Sequence, residues 1–278
     1  NAICYSTELR QAAIEKYIQY HIVPIVEFHN ATGSVDPAKV TEAVNFWISE
    51  KSWVQKYEKY VIINITNEWC NSGQLTVWRD TYISAVKALR DAGINNTIII
   101  DSIQWGQQVM DASYYNAVFN ADPQKNIIFS FHMYGGWLDP ADTATQSWDD
   151  YNYYHVDTAL KYLTENVDAP VIAGEFNHLC AATSCTDDTL LKNLESRNVG
   201  WIAWMWYNSS GNRENMVSSS ASNVYTVFGK TITSYLKNAK EATVFTTALP
   251  SLPVVPVLTP DPNWAPGGMK ITIFDVSV

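Results

Sequence analysis

The sequence predicts an α/β fold of the (β/α)8-barrel type. Three observations carry this. Six short, apolar, β-branched runs alternate with helical stretches through most of the chain, as in a parallel sheet covered on both faces. No GxGxxG or GxxxxGK motif follows any run, which weakens the nucleotide-binding form of the competing open, doubly wound sheet. Each run also delivers a polar or aromatic group at its carboxyl end. In a barrel these ends converge on one face, whereas an open sheet spreads them along a crevice.

The elements follow in order. Residues 7–20 carry Leu9, Ala13, Ile14, Tyr17 and Ile18 at helical spacing. Residues 22–28 read as the first buried strand. Asp36-Pro37 opens the next helix, a capping side chain followed by proline in the first turn. Val40, Ala43, Val44, Trp47 and Ile48 form its apolar face. Residues 60–66 are the second strand, and a helix over 75–91 stops at Gly93. Strands at 97–101, 126–131, 170–174 and 200–204 lead to helices near 111–119, 150–166, 187–197 and 223–238. Beyond about residue 240 the alternation ends. Residues 248–262 carry five prolines and read as extended. Residues 270–274 read as one strand, paired with something outside the chain. The organisation is therefore a barrel-type domain over 1–246 and a Pro-rich linker with an extended segment over 247–278.

Composition narrows the function. The chain has 278 residues, 47% hydrophobic and 17% charged, which excludes a disordered chain. A net charge of −10 argues against nucleic acid or an anionic membrane as partner. Neutral polymers remain open. No apolar run reaches the about 18 residues of a membrane span. The 11 Trp, 16 Tyr and 9 Phe suit both a large core and the apolar faces of sugar rings. Of the four cysteines, Cys180 and Cys185 enclose only Ala-Ala-Thr-Ser and suit a loop staple. Cys4 and Cys70 can pair if their loops meet. Four thiols in a cytosolic protein are the alternative. Glycosylation sequons begin at Asn30, Asn64, Asn95 and Asn208, although Asn64 falls in a strand. Together these features read as a secreted protein.

The strand ends carry the chemistry. The first strand ends in His29-Asn30, the second in Asn67-Glu68-Trp69, and the third at Asp101 with Trp105 close behind. The fourth leads to His132 and Tyr134, the fifth to Glu175, Asn177 and His178, the sixth to Trp206, Tyr207 and Asn208. Glu68 and Glu175 are the sharpest pair, because an unpaired carboxylate beside an apolar strand is costly. Two carboxyls flanking a glycosidic bond are what its hydrolysis needs. Two buried salt bridges are the bland alternative, but few basic residues lie near these motifs. A metal cluster of His29, Glu68, His132, Glu175 and His178 is another, without HExxH-type spacing to support it.

Ile65-Thr66-Asn67-Glu68-Trp69, His132-Met133-Tyr134 and Ile172-Ala173-Gly174-Glu175-Phe176 resemble the motifs of glycoside hydrolase family 5, in the clan of retaining (β/α)8 glycosidases. The stretches 26–33, 105–107, 119–123 and 201–206 are similar to bacterial-type endo-β-1,4-mannanases within it. The resemblance spans about residues 1–246. It implies Glu68 as general acid/base positioned by Asn67, and Glu175 as nucleophile hydrogen-bonded by Tyr134. It also implies His29 and His132 at the cleaved bond, and Trp204, or else Trp206, as the sugar platform. Trp69 and Trp105 fall at the same face. No cofactor or metal is implied, since both reacting groups are side chains. The partner is a β-linked polysaccharide, and the two carboxyls should lie about 5–5.5 Å apart.

Measured against the family, the six strands are strands three to eight. The first two units, and the arginine that orients the nucleophile, have no counterpart; Arg10 lies on the opening helix, in the wrong place. A second chain or a further segment is expected to supply them. Cys4 and Cys70 would both lie at the catalytic face, which makes their pairing geometrically reasonable. An endo-β-1,4-glucanase is the alternative within the class. A non-catalytic carbohydrate-binding or assembly protein on a degenerate barrel is the alternative outside it.

Overall fold

The computed structural model describes residues 7–135, 137–138, 154–177, 186–208, 215–219, 224–237 and 270–274. The chain runs α1 (Thr7–Gln19), β1 (Val23–Glu27), α2 (Pro37–Ser49), α3 (Lys51–Lys56), β2 (Ile62–Asn64), α4 (Leu75–Asp91), β3 (Ile98–Asp101) and α5 (Ala112–Ala121). It continues β4 (Ile127–Met133), β5 (Trp137–Leu138), β6 (Tyr154–His155), α6 (Val156–Asn166), β7 (Val171–Phe176), α7 (Asp187–Ser196), β8 (Gly200–Ala203), α8 (Val227–Leu236) and β9 (Lys270–Phe274). All six expected strand–helix units are present. The capping reading of α2 holds: Asp36 accepts the Ala38 N–H at 2.9 Å, with proline in the first turn. Asp111, Thr186 and Thr226 cap α5, α7 and α8 in the same way.

The main sheet has the order β8-β7-β4-β3-β2-β1-β9. Its six strands from β1 to β8 are parallel and neighbour one another in chain order. β5 and β6 form a separate two-stranded sheet. This is a partial (β/α)8 fold. The strand at 270–274 corrects one expectation. It pairs within the chain, antiparallel to β1, from Val23 opposite Phe274 to Glu27 opposite Lys270. The outer edge of β1 offers a row of unpaired backbone groups, and any extended segment within reach can satisfy them. Cα atoms of β9 also come within 8 Å of β8, so one strand spans the open side of the arc.

Alternation along each strand sorts the residues into two faces. Outward side chains meet the helices in the main core, where Trp47, Trp53, Trp69, Trp78 and Trp137 are fully buried. Their indole N–H groups all find acceptors, as buried Trp requires: the Glu50 carboxylate for Trp53 and backbone carbonyls for the other four. Trp47 donates to Ile65 O, Trp78 to Asp101 O and Trp69 to Asp36 O, at 2.9–3.0 Å. The inner face carries a layer of isoleucines, one per parallel strand: Ile25, Ile62, Ile99, Ile128, Ile172 and Ile202. Two residues further along sit Glu27, Asn64, Asp101, Ser130, Gly174 and Trp204. An apolar floor thus lies beneath a polar rim at the carboxyl ends.

Candidate active site

The site is shaped by an irregularity between β4 and β7. Phe131 pairs with Ala173, but His132 pairs with Glu175. Gly174 is the extra residue. Such a bulge re-aims the side chain that follows it, and here it turns Glu175 toward His132. A Cβ at Gly174 would lie 1.9 Å from Ser130 Oγ and 3.1 Å from its Cβ, so the buried serine would have to turn away. Gly174→Ala is therefore expected to destabilise the fold by about 1–3 kcal/mol through overpacking. An unchanged urea midpoint would contradict this close approach.

Glu68 sits just beyond β2, with a left-handed backbone at φ 50°. Two backbone hydrogen bonds hold it there. Its N–H donates to Asp101 Oδ2 at 2.9 Å, and its carbonyl accepts from Gly33 N at 3.0 Å. Its side chain is met by His132, whose Nδ1 donates to Glu68 Oε1 at 2.8 Å. The same imidazole lies 3.6 Å from Asp101 Oδ1 through Nε2, and 3.8 Å from Glu175 Oε2 through Nδ1. Tyr134 donates its hydroxyl to Glu175 Oε2 at 2.5 Å. One carboxyl oxygen of Glu68 and one of Glu175 lie within 4.8 Å of each other, with a His132 nitrogen equally close.

The charge balance follows from burial and neighbours. Burial alone would strip His132 of its proton, but the Glu175 and Asp101 carboxylates outweigh it and raise its pKa well above the usual value. For Asp101, burial is opposed by His132 and by the Glu68 N–H, and its pKa is lowered. Burial pushes the Glu175 carboxyl up to about 7; the charges of Glu68 and Glu27 add to this, while His132 and Tyr134 oppose it. Among the described residues, no Lys or Arg pairs with Glu68, Asp101 or Glu175. Arg10 instead bridges Glu50 at 2.8 Å, so it does not serve the site.

The family model described as Cellulase (glycosyl hydrolase family 5) matches residues 6–210. The chain belongs to glycoside hydrolase family 5. It is 36% identical over 198 residues to a mannan endo-1,4-beta-mannosidase of Salipaludibacillus agaradhaerens, covering 71% of this chain and 60% of that protein. It is 31% identical over 219 residues to a mannan endo-1,4-beta-mannosidase of Streptomyces lividans, covering 76% and 53%. The mannotriose complex of Thermomonospora fusca beta-mannanase matches with TM-score 0.72 at 26% identity, covering 87% of this chain and 79% of that one. The chain thus spans only part of the length of these relatives.

Most of the family 5 residues expected from sequence meet at this rim. Asn67 is buried, and its Nδ2 donates to Thr32 Oγ1 at 2.9 Å and faces His29 Nε2 at 3.5 Å. Its Oδ1 is buried with no partner among the described residues. Trp105 is half-buried against the turn at Gly33, where an added Cβ would meet its Nε1 at 2.7 Å. Trp204 is half-buried, and its peptide bond to Met205 is cis. Trp206 is 50% exposed and edges against Tyr225. Trp69 is a correction: it is fully buried against Tyr82 and belongs to the core, out of reach of a sugar.

Of the five residues of the metal alternative, Glu68, His132 and Glu175 come together, each bringing one ligand atom within 4.8 Å of the others. His29 turns Nδ1 to Glu27 at 2.6 Å, and His178 lies outside the described residues. His132 reaches Glu68 Oε1 through Nδ1 at 2.8 Å, and a cation there would have to displace the proton in that contact. Cys70 is a buried free thiol, pushed up to about 11 by burial; Cys4, Cys180 and Cys185 lie outside the described residues. Among the sequons, Asn64 is buried and donates to Asp101 Oδ1 at 3.1 Å, which leaves it closed to a glycan. Sequence reasoning placed Asp101 at a strand end without giving it a role, and it missed Glu27. Both end apolar strands in carboxylates, the signal that singled out Glu68 and Glu175.

Proposed function

We propose that the chain carries the catalytic centre of an endo-acting glycosidase that cleaves β-1,4-mannan with retention of configuration. The observation that carries this reading is the carboxyl pair, with oxygens within 4.8 Å. So close an approach favours the short separation of direct attack, about 5–5.5 Å between carboxyl groups, over the about 6.5–9.5 Å that makes room for a water. Glu68, as the acid, gives its proton to the glycosidic oxygen. His132 occupies its Oε1, so the other oxygen faces the leaving group. The Glu175 carboxylate attacks carbon one and forms the glycosyl-enzyme; Tyr134 holds its Oε2 and fixes the line of attack. Glu68 then takes a proton from a water whose oxygen bonds to carbon one; the bond to Glu175 breaks, its carboxylate is restored, and the sugar leaves with its original configuration. The activities of the mannanase relatives above support mannan as the polymer. A polysaccharide cannot enter a cell intact, so the site of action is proposed as extracellular.

Reducing-sugar release from β-mannan, with carboxymethyl cellulose as the second polymer and Glu175→Gln as control, tests the reading. Preferred release from mannan, with the β-anomer appearing first by NMR, is the expected result. Preferred release from cellulose would replace it with the glucanase reading. Binding to mannan with no release from any β-glycan would leave a non-catalytic carbohydrate-binding protein.

A further inference from the structure

Glu27 ends β1 two residues past Ile25, so alternation places it on the inner face of the sheet. It is only 7% exposed. It shares one cavity with Asn64, His132 and Glu175, above the floor made by Ile25, Ile99 and Ile202. A carboxylate can only accept, so the 2.6 Å contact puts the proton of His29 on Nδ1. His29 Nε2 is then left to accept from Asn67 Nδ2 at 3.5 Å. Asn67 immediately precedes Glu68, so the contacts run from Glu27 through His29 to the backbone of the acid/base residue.

We propose that Glu27 is a positioning residue for the reaction assigned above: it fixes the His29 imidazole and keeps a negative charge behind Glu175 across the shared cavity. The proposal rests on the mannanase reading. The apolar floor matters because a charge in a low-dielectric enclosure is felt farther than one in water. In keeping with this, the charge of Glu27 is among the causes that raise the pKa of Glu175, after burial and Glu68. Other groups face the pair. His132 and Tyr134 approach Glu175 from β4 and its end, and Asp101 stands behind His132. Beside Glu27 are His29 and Asn64 from β2.

The test uses the chain labelled with 13Cδ-glutamate and 15N-histidine, as wild type, Glu27→Gln and Glu27→Leu. Glu27→Gln keeps an acceptor and loses the charge. Its Glu175 titration midpoint, and the acid limb of kcat/KM on mannan, should move to lower pH while His29 stays protonated on Nδ1. Glu27→Leu loses both. It should also give a mixture of His29 tautomers and a fall in kcat of up to about 100-fold, the scale set by a misplaced catalytic group. A merely structural role would lower activity equally at every pH. An unmoved Glu175 midpoint in Glu27→Gln overturns the proposal, even if Glu27→Leu fails to fold. Wild-type chain that hydrolyses no mannan, with both NMR changes as expected, overturns the mannanase reading and supports the placement of Glu27.

Discussion

Glu175→Gln is expected to lower kcat on mannan by at least about 10⁴-fold, because the nucleophile has no substitute. Glu68→Gln should cost about 10²–10⁴-fold, the usual worth of one acid/base group. The two losses differ in kind, which azide can reveal. In Glu68→Ala, azide can attack the glycosyl-enzyme and give the β-glycosyl azide. In Glu175→Ala it can replace the nucleophile and give the α-anomer. The reverse pattern would exchange the two roles. The proposed division rests on the contacts: Tyr134 donates to Glu175 alone of the pair, and the Glu68 backbone is pinned by Asp101 and Gly33.

Between pH 5 and 8 the wild-type fold should lose about 3 kcal/mol relative to Glu175→Gln, since a tenfold change in proton affinity is worth about 1.4 kcal/mol. The Glu175 carboxyl titrates near 4.5 when exposed and is pushed up to about 7 when folded, chiefly by burial. Between those values the folded state binds more protons than the unfolded one, so stability falls as pH rises. The contribution is fully present below about pH 4.5 and gone above about 7. His132, also raised, acts in the same direction. Asp101, lowered by His132 against its burial, acts oppositely and only under strong acid. Paired urea titrations of the two proteins at several pH values would measure the difference. Parallel stability curves would refute the buried, proton-retaining carboxyl. The cost of this centre thus falls on stability at the alkaline side.

The architecture was legible where local signals agreed. The six apolar runs became the six parallel strands, and Asp36-Pro37 became the cap of α2. α3 escaped because it is short and begins at Glu50 without a side-chain cap. The glutamate pair was legible because a carboxylate after an apolar strand requires an explanation. Asp101 and Glu27 carry that same signal, but their worth comes from what they face across the sheet. Trp69 follows Glu68 directly, so its position suggested a platform. Its burial is decided by Tyr82 on α4, which only the packed structure brings to it. The slip in pairing at Gly174 belongs to two strands about 40 residues apart, and register between strands is set by packing and pairing.

The sorting of the tryptophans has an optical consequence. Trp47, Trp53, Trp69, Trp78 and Trp137 are sealed from water. Several border one another or tyrosine rings, as Trp47 does Trp53 and Trp78 does Tyr82 and Tyr115. Their emission is that of indole in an apolar, rigid surround, shared by energy transfer between close rings. Among the described tryptophans Trp206 is the most exposed, at 50%, and contributes most to the red edge and to the part open to a dissolved quencher. A sugar resting on that ring changes the colour and accessibility of a small fraction of the light, while unfolding changes nearly all of it. If a sugar rests on Trp206 as expected from the sequence, the described tryptophans report occupancy and integrity separately.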